Sequence, residues 1–378
     1  MAGATLSLHI MRHTALASYT PVSANSFISK HTMTPQATFS LSMLDLVAVR
    51  EGASVGQALA TALATAQHAE ALGFKRYWVA EHHNMQGIAS SATAVLVGYL
   101  AGGTRRIRVG SGGIMLPNHA PLVVAEAFGT LAELYPNRID LGLGRAPGTD
   151  QPTMRALRRD RPETEADFPR DVAELQRLLA PAQSGQRIVA MPGAGTQVPI
   201  WLLGSSLYSA QLAAQRGLPY AFASHFAPRL VMQAVDLYRQ LFQPSEHLAK
   251  PYVAIGVPLV AAPTDEEADF LASSVYQRVL GILRGDRRRL QAPVPDFLRQ
   301  CSPQERAAIA DFLGAAVVGG PDTVREGLQH LAAATGADEL LLVCDVFDTP
   351  KRLRSLGIAA QAVHCQASAG LELAEVTA

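Results

Sequence analysis

The sequence predicts a closed parallel (β/α)8 barrel, a TIM barrel, built as one domain. Three observations lead there. Strand-like and helix-like segments alternate from residue 39 onward, giving eight βα units, the number a closed barrel needs. Hydrophobic residues make up 48% of the 378 residues, enough for a large core. The turn after the first strand has no glycine-rich signature, which a doubly wound sheet would carry there. Length alone suggests more than one domain, but βα barrels run longer than ordinary domains.

The elements follow in order. Residues 39–47 (FSLSMLDLV) are the first strand candidate. Ser54 can cap a helix whose apolar stripe is Val55, Leu59, Leu63, Ala66 and Ala69, and Gly73 ends it. Residues 77–81 are the second strand, followed by a helix from Ser90 or Ser91 to about Leu100. Residues 106–115 are the third strand; the helix over 119–134 is broken by Pro136 and Asn137. Residues 138–143 form the fourth strand, with a helix over 163–179 and then a Gly/Pro-rich loop. Strand five covers 198–203, its helix 206–216; strand six covers 218–223, and its helix 228–242 has Pro in the first turn. Strand seven covers 252–260 and its helix 265–283. An irregular, basic, Pro-containing stretch follows over 284–303. A helix over 321–334, strand eight over 339–344 and a closing helix over 350–359 complete the count. Residues 284–318 are surplus to the repeat, so they are expected as an insertion near strands 7 and 8, over the mouth.

The barrel is thus expected over 39–363, with a disordered leader over 1–38 and a flexible tail over 364–378. Polar residues interrupt every apolar run in the leader, so it does not read as a secretory signal. Met33 is an alternative start, and the basic, Ser-rich, acid-free composition also suits an organelle presequence. No run of about 18 apolar residues occurs, so no membrane span is expected. Lys+Arg and Asp+Glu are both 32, which gives no electrostatic case for a nucleic-acid or anionic-membrane partner. Cys301, Cys344 and Cys365 form no CxxC pair, so a reducing, cytoplasmic setting is expected.

Active sites of such barrels lie where strands end and loops begin. Four segments qualify. Residues 80–84 (AEHHN) end strand two. Alternation sends His82 and His83 opposite ways, so only one faces the mouth; two solvated loop histidines are the plain alternative. No metal site is expected, because HExxH and HxH spacings are both missing. Residues 109–114 (VGSGGI) put glycines inside strand three, which suggests a close approach to the backbone, such as that of a flat aromatic cofactor. A glycine bulge at the rim would explain them equally. Residues 142–148 (GLGRAPG) lack dinucleotide-turn spacing. Arg145 among these glycines suits a phosphate clamp, or is a surface arginine. Gly204, Ser205 and Ser206 end strand five and open a helix, which makes an anion site or a plain N-cap. Arg145 and Ser205 come from neighbouring loops, so both could reach one phosphate.

The spacing of these segments resembles the luciferase-like flavin-dependent monooxygenases. The matching text is ALGFKRYWVAEHHN (71–84), IRVGSGGIMLPNHAPLVVAE (107–126), RIDLGLGRAPGTD (138–150) and GSS with AAQRGLPYAFASHF (within 204–226). The resemblance implies FMN in its reduced form, supplied by a separate flavin reductase, and oxygenation of a small organic substrate. It assigns His82 to flavin–oxygen chemistry, with a near-neutral pKa suited to proton transfer. It assigns Gly112 and Gly113 to a cis peptide against the flavin ring, and Arg145 and Ser205, with Gly204 and Ser206, to the phosphate. Luciferase has a cysteine just before the phosphate arginine; Gly144 stands there instead, which argues against light emission. No convincing nicotinamide site is present, which fits a two-component system. The alternatives are a deazaflavin-dependent reductase or dehydrogenase, or a non-catalytic flavin-binding partner subunit. A homodimer is expected from the apolar, Ala-rich helices near 89–100 and 120–134.

Overall fold

A computed structural model describes residues 38–146, 151–157 and 167–375, with side chains described as far as residue 363. The expected leader, apart from Thr38, and the side chains of the expected tail lie outside the described residues. The strands are β1 (Ser40–Asp45), β2 (Arg76–Val79), β3 (Arg108–Met115), β4 (Ile139–Gly144), β5 (Ile200–Gly204), β6 (Tyr220–Phe222), β7 (Val253–Ala261), β8 (Val317–Gly319) and β9 (Glu339–Val343). Each of β1 to β7 pairs in parallel with the next, and β9 pairs with both β7 and β1. These eight close the barrel, as the alternation predicts. The short β8 stands apart from the ring and pairs only with the far end of β7, Leu259 to Ala261.

The helices are α1 (Val55–Ala71), α2 (Thr93–Gly102), α3 (Pro121–Leu134), α4 (Gln151–Leu157), α5 (Asp167–Leu179), α6 (Leu207–Gln215), α7 (Val231–Leu241), α8 (Asp265–Leu283), α9 (Phe297–Gln300), α10 (Pro303–Phe312), α11 (Pro321–Thr335) and α12 (Thr349–Glu375). Ser54 caps α1 with a complete capping box to Gln57. Among the described residues no helix is long and apolar enough to cross a membrane.

Four elements depart from the expectation. The stretch after Arg284 is ordered, not irregular: it holds α9, α10 and β8. The helix expected to close at residue 359 continues to Glu375. Of the helix expected over 163–179, residues 163–166 lie outside the described residues and 167–179 form α5; α4 was not foreseen. The first strand ends at Asp45, because Val47 turns to a φ of +53°, costly for a β-branched residue. The Val47 N–H donates to Asp45 Oδ1 at 2.9 Å, which helps hold that turn.

Side chains alternate between two cores. Met43, Tyr77, Val79, Val109 and Leu141 face the helices. Leu44, Trp78, Trp201, Ala254 and Leu341 fill the barrel interior. The floor of the interior is ionic. Arg76 donates to Glu339 at 2.6 Å and to Asp140 at 2.7 Å, and Arg108 reaches Asp140 at 2.6 Å. Tyr252 donates to Glu339 at 2.9 Å and Trp78 Nε1 to Asp140 at 3.1 Å. Every buried charge there has an opposite partner, the condition for tolerating charge in a core. The Arg76 guanidinium is desolvated, yet the two carboxylates outweigh this and raise its pKa.

Candidate active site

The strand rule that builds the floor also opens the mouth. Toward the C-terminal strand ends the lining turns small: Ala80, Gly112, Gly113, Gly144, Ala221 and Gly256. The space they leave is a cavity of about 1120 Å³, large for a single small-molecule site. The segment after β7 roofs it. Leu290 bridges the strand-like turn after β1: its N–H donates to Val49 O at 3.0 Å, and its carbonyl accepts from Glu51 at 2.8 Å. Phe297, Phe312 and Leu313 line the cavity from above, so the expected insertion does lie over the mouth.

His82 and His83 separate as alternation requires. Arg76, Trp78, Ala80 and His82 share one parity, and His82 lines the cavity. Its Nδ1 is enclosed and has no hydrogen-bond partner. Burial, then the charge of Arg278, pushes its pKa down to about 4. The near-neutral value expected from the sequence is therefore corrected: His82 is a neutral imidazole at pH 7. His83 turns the other way. Glu81, fully buried, accepts from His83 Nε2 and from His119 Nε2, each at 2.8 Å, and from the Met115 N–H at 3.1 Å. Burial would raise the Glu81 pKa, but these donors, His119 foremost, bring it below the usual carboxylate value. Glu81, His83 and His119 place three potential ligand atoms within 4.8 Å of one another. That grouping was not foreseen, because His119 lies outside the HxH and HExxH patterns. Direct hydrogen bonds account for it here.

Gly112 and Gly113 line the cavity, and the peptide between them is cis. The close approach read from the glycines is made by the protein itself. A Cβ on Gly110 would lie 2.3 Å from Asp140 O, on Gly112 2.6 Å from Leu44 Cδ1, and on Gly113 2.7 Å from Gly142 O. Bare backbone is thus needed at this wall before any ligand arrives.

Arg145, Gly204, Ser205 and Ser206 line the same cavity at the ends of the next two strands, β4 and β5. Arg145 stacks on Tyr208, 4.3 Å from guanidinium carbon to ring centroid. Ser206 is the N-cap of α6, but its side chain makes no capping hydrogen bond, and the buried Tyr208 hydroxyl has no partner. A guanidinium, a free helix N-terminus and an unused hydroxyl form a site for an anion.

Three cavity residues escaped the sequence reading. His225, beyond the end of β6, has an enclosed, unpartnered Nδ1, and its pKa is pushed to about 3 by burial and by Arg278 and His82. It falls in the stretch that resembles the family, within 204–226, but nothing marked the residue. Tyr208 sits in the first turn of α6 and carries no motif. Arg278, paired with Asp345, lies mid-helix, where only tertiary packing turns it inward.

Comparison with known proteins identifies the family. The family model for luciferase-like monooxygenases matches residues 39–339. An Escherichia coli (strain K12) luciferase-like monooxygenase is 49% identical over 322 residues, covering 85% of this chain and 96% of its own. MsnO8, solved as the apo protein, superposes with a TM-score of 0.78 at 37% identity, over 86% of this chain and 98% of its own. The chain belongs to the luciferase-like monooxygenase family. Two more distant structures share the fold. The oxygenating constituent of Pseudomonas putida 3,6-diketocamphane monooxygenase, solved with FMN, has a TM-score of 0.66 at 18% identity, over 86% of this chain and 98% of its own. An F420-dependent secondary alcohol dehydrogenase has a TM-score of 0.64 at 14% identity, over 86% and 99%.

Proposed function

We propose that the cavity binds reduced FMN, phosphate toward Arg145 and the start of α6, and that the protein uses it with dioxygen to oxygenate a small organic substrate. The observation that carries this reading is the anion site. Arg145 has no carboxylate partner among the described residues, beside an unused Ser206 side chain and an unpartnered Tyr208 hydroxyl. A flavin phosphate would complete all three. Gly112 and Gly113 present bare backbone to the cavity, a surface against which a flat ring could lie.

When bound, reduced flavin supplies two electrons, so that one oxygen atom enters the substrate and the other leaves as water. The remaining work belongs to the chain. Stacking on Tyr208 orients the Arg145 guanidinium before the phosphate arrives. The roof from Leu290 to Leu313 excludes water from the reacting atoms. His82, neutral at pH 7, can take up a proton at its enclosed Nδ1 and return it to product. Reduced flavin would arrive from a separate flavin reductase, and the protein would act as a homodimer.

The test is an anaerobic titration of the protein with reduced FMN and, separately, with a reduced deazaflavin, followed by admission of oxygen. The proposal expects the FMN complex to form and to consume oxygen. Tight binding of the deazaflavin alone, with no oxygen consumed, would replace oxygenation by hydride transfer.

A further inference from the structure

We infer that the cavity carries a second anion subsite, built on Arg287, which holds the carboxylate of a small apolar organic acid as substrate. The word substrate rests on the flavin reading above; the subsite itself rests on the cavity.

The cavity wall is strongly cationic. Its lining includes Arg145, Arg278, Arg284, Arg287, Arg288 and Arg289, against only Asp286 and Asp345 as acids. Most of these arginines are already used. Arg278 pairs with Asp345 and Arg284 with Glu305. Arg288 pairs with Asp286 at 2.5 Å, and Arg289 donates to Ala53 O at 3.0 Å. Arg145 is committed to the α6 site. Arg287 has no acceptor among the described residues, yet it lines the cavity. A guanidinium held over a partly closed cavity without a counter-ion is a natural partner for a carboxylate, which it can bind through two parallel hydrogen bonds.

Its backbone is fixed on both sides. Asp286 donates its N–H to Gly281 O at 2.7 Å, and Leu290 is bridged to Val49 and Glu51. Gly87 packs so close below that a Cβ there would lie 2.4 Å from Arg288 O. The loop is therefore a built part of the roof. Arg287 sits near His82. Its charge, with that of Arg278, is felt at His82, and Arg278 and His82 are both felt at His225. Two enclosed imidazole nitrogens without partners face this cationic region. An anion there would offset the positive field and make their protonation easier. Substrate binding would in this way prepare the proton acceptor. The cavity lining also includes Phe226, Tyr276, Phe297, Phe312 and Leu313, which would be poorly served by a fully polar ligand. Hence the predicted class: one carboxylate on an apolar body.

The test uses FMN-saturated protein, so that the Arg145 site is filled, and calorimetric titration with phenylacetate and its neutral isostere phenylacetamide. Phenylacetate should bind about 10- to 100-fold more tightly, the scale of one charge-assisted contact. Arg287→Gln, at an exposed position where folding is not at risk, should bring the two within about twofold and leave FMN affinity unchanged. Equal binding of acid and amide by the unaltered protein, or no binding of the acid at millimolar concentration, overturns the subsite. So does a discrimination that survives Arg287→Gln. Weakened FMN binding in that variant would instead give Arg287 to the flavin phosphate and also overturn it. Failure of FMN to bind at all, with the acid–amide difference intact and dependent on Arg287, would sink the flavin reading and leave the subsite standing.

Discussion

Adjacent residues in one motif carry different work. His82 reaches the cavity, whereas His83 is tied to Glu81, so their substitutions should separate. His82→Ala should leave flavin affinity nearly unchanged and lower product formation by about 100- to 10,000-fold, the usual scale for a general acid or base. His83→Ala should act mainly on stability, by loosening the Glu81 cluster. Coupled oxygen uptake and released peroxide, measured for both with one reductase, check this; a reversed pattern would overturn the assignment. The histidines also set an acid limit. His82 and His225 titrate near 4 and 3 in the folded protein and near 6.5 when unfolded. The unfolded chain therefore binds more protons between these values, and the stability they contribute above pH 6.5 is lost as pH falls toward 4. The double variant His82→Gln, His225→Gln should lose less thermal stability between pH 7 and pH 4 than the unaltered protein. Parallel losses would contradict the sign of the shifts.

At the scale of elements, glycine placement in β3 and β4 is a packing requirement as much as a binding one. Gly110→Ala would drive a methyl into Asp140 O at 2.3 Å, so we expect a loss of about 1–3 kcal/mol in urea unfolding. An unchanged midpoint would mean that the two strands can part without cost. The sequence supplied the strands and most helices, because apolar alternation and Ser caps are local signals. It did not supply α10, although Ser302 and Glu305 form a complete capping box there and the pattern can be read directly from S-P-Q-E; the surrounding arginines and prolines obscured it. β8 and the end of β1 are different. Three paired residues and one left-handed valine are set by tertiary contact, and no local pattern announces them.

For the whole molecule, the legible part of the site was what strand ends dictate: His82, Gly112, Gly113, Arg145 and Ser205 all line one cavity. Residues brought in from helices and from the roof, such as Tyr208, Arg278 and Arg287, depend on how elements dock, which no spacing records. The outer surface bears on assembly. α2 and α3 lie side by side and leave Val95, Tyr99, Val123 and Leu134 at 76%, 46%, 58% and 63% exposure. Apolar side chains this exposed on neighbouring helices suit a subunit interface. Light scattering at micromolar concentration should give a dimer, and Val95→Glu with Val123→Glu should give a monomer. A monomeric unaltered protein would remove the dimer.

If this cavity holds a flavin by its phosphate, FMN and riboflavin, which lacks only that group, should bind differently. The unaltered protein should bind FMN more tightly by about 1.5–3 kcal/mol, the worth of a hydrogen bond to a charged group, and Arg145→Ala should erase most of the difference while changing riboflavin affinity little. Equal affinities for FMN and riboflavin in the unaltered protein would rule out a phosphate site at Arg145.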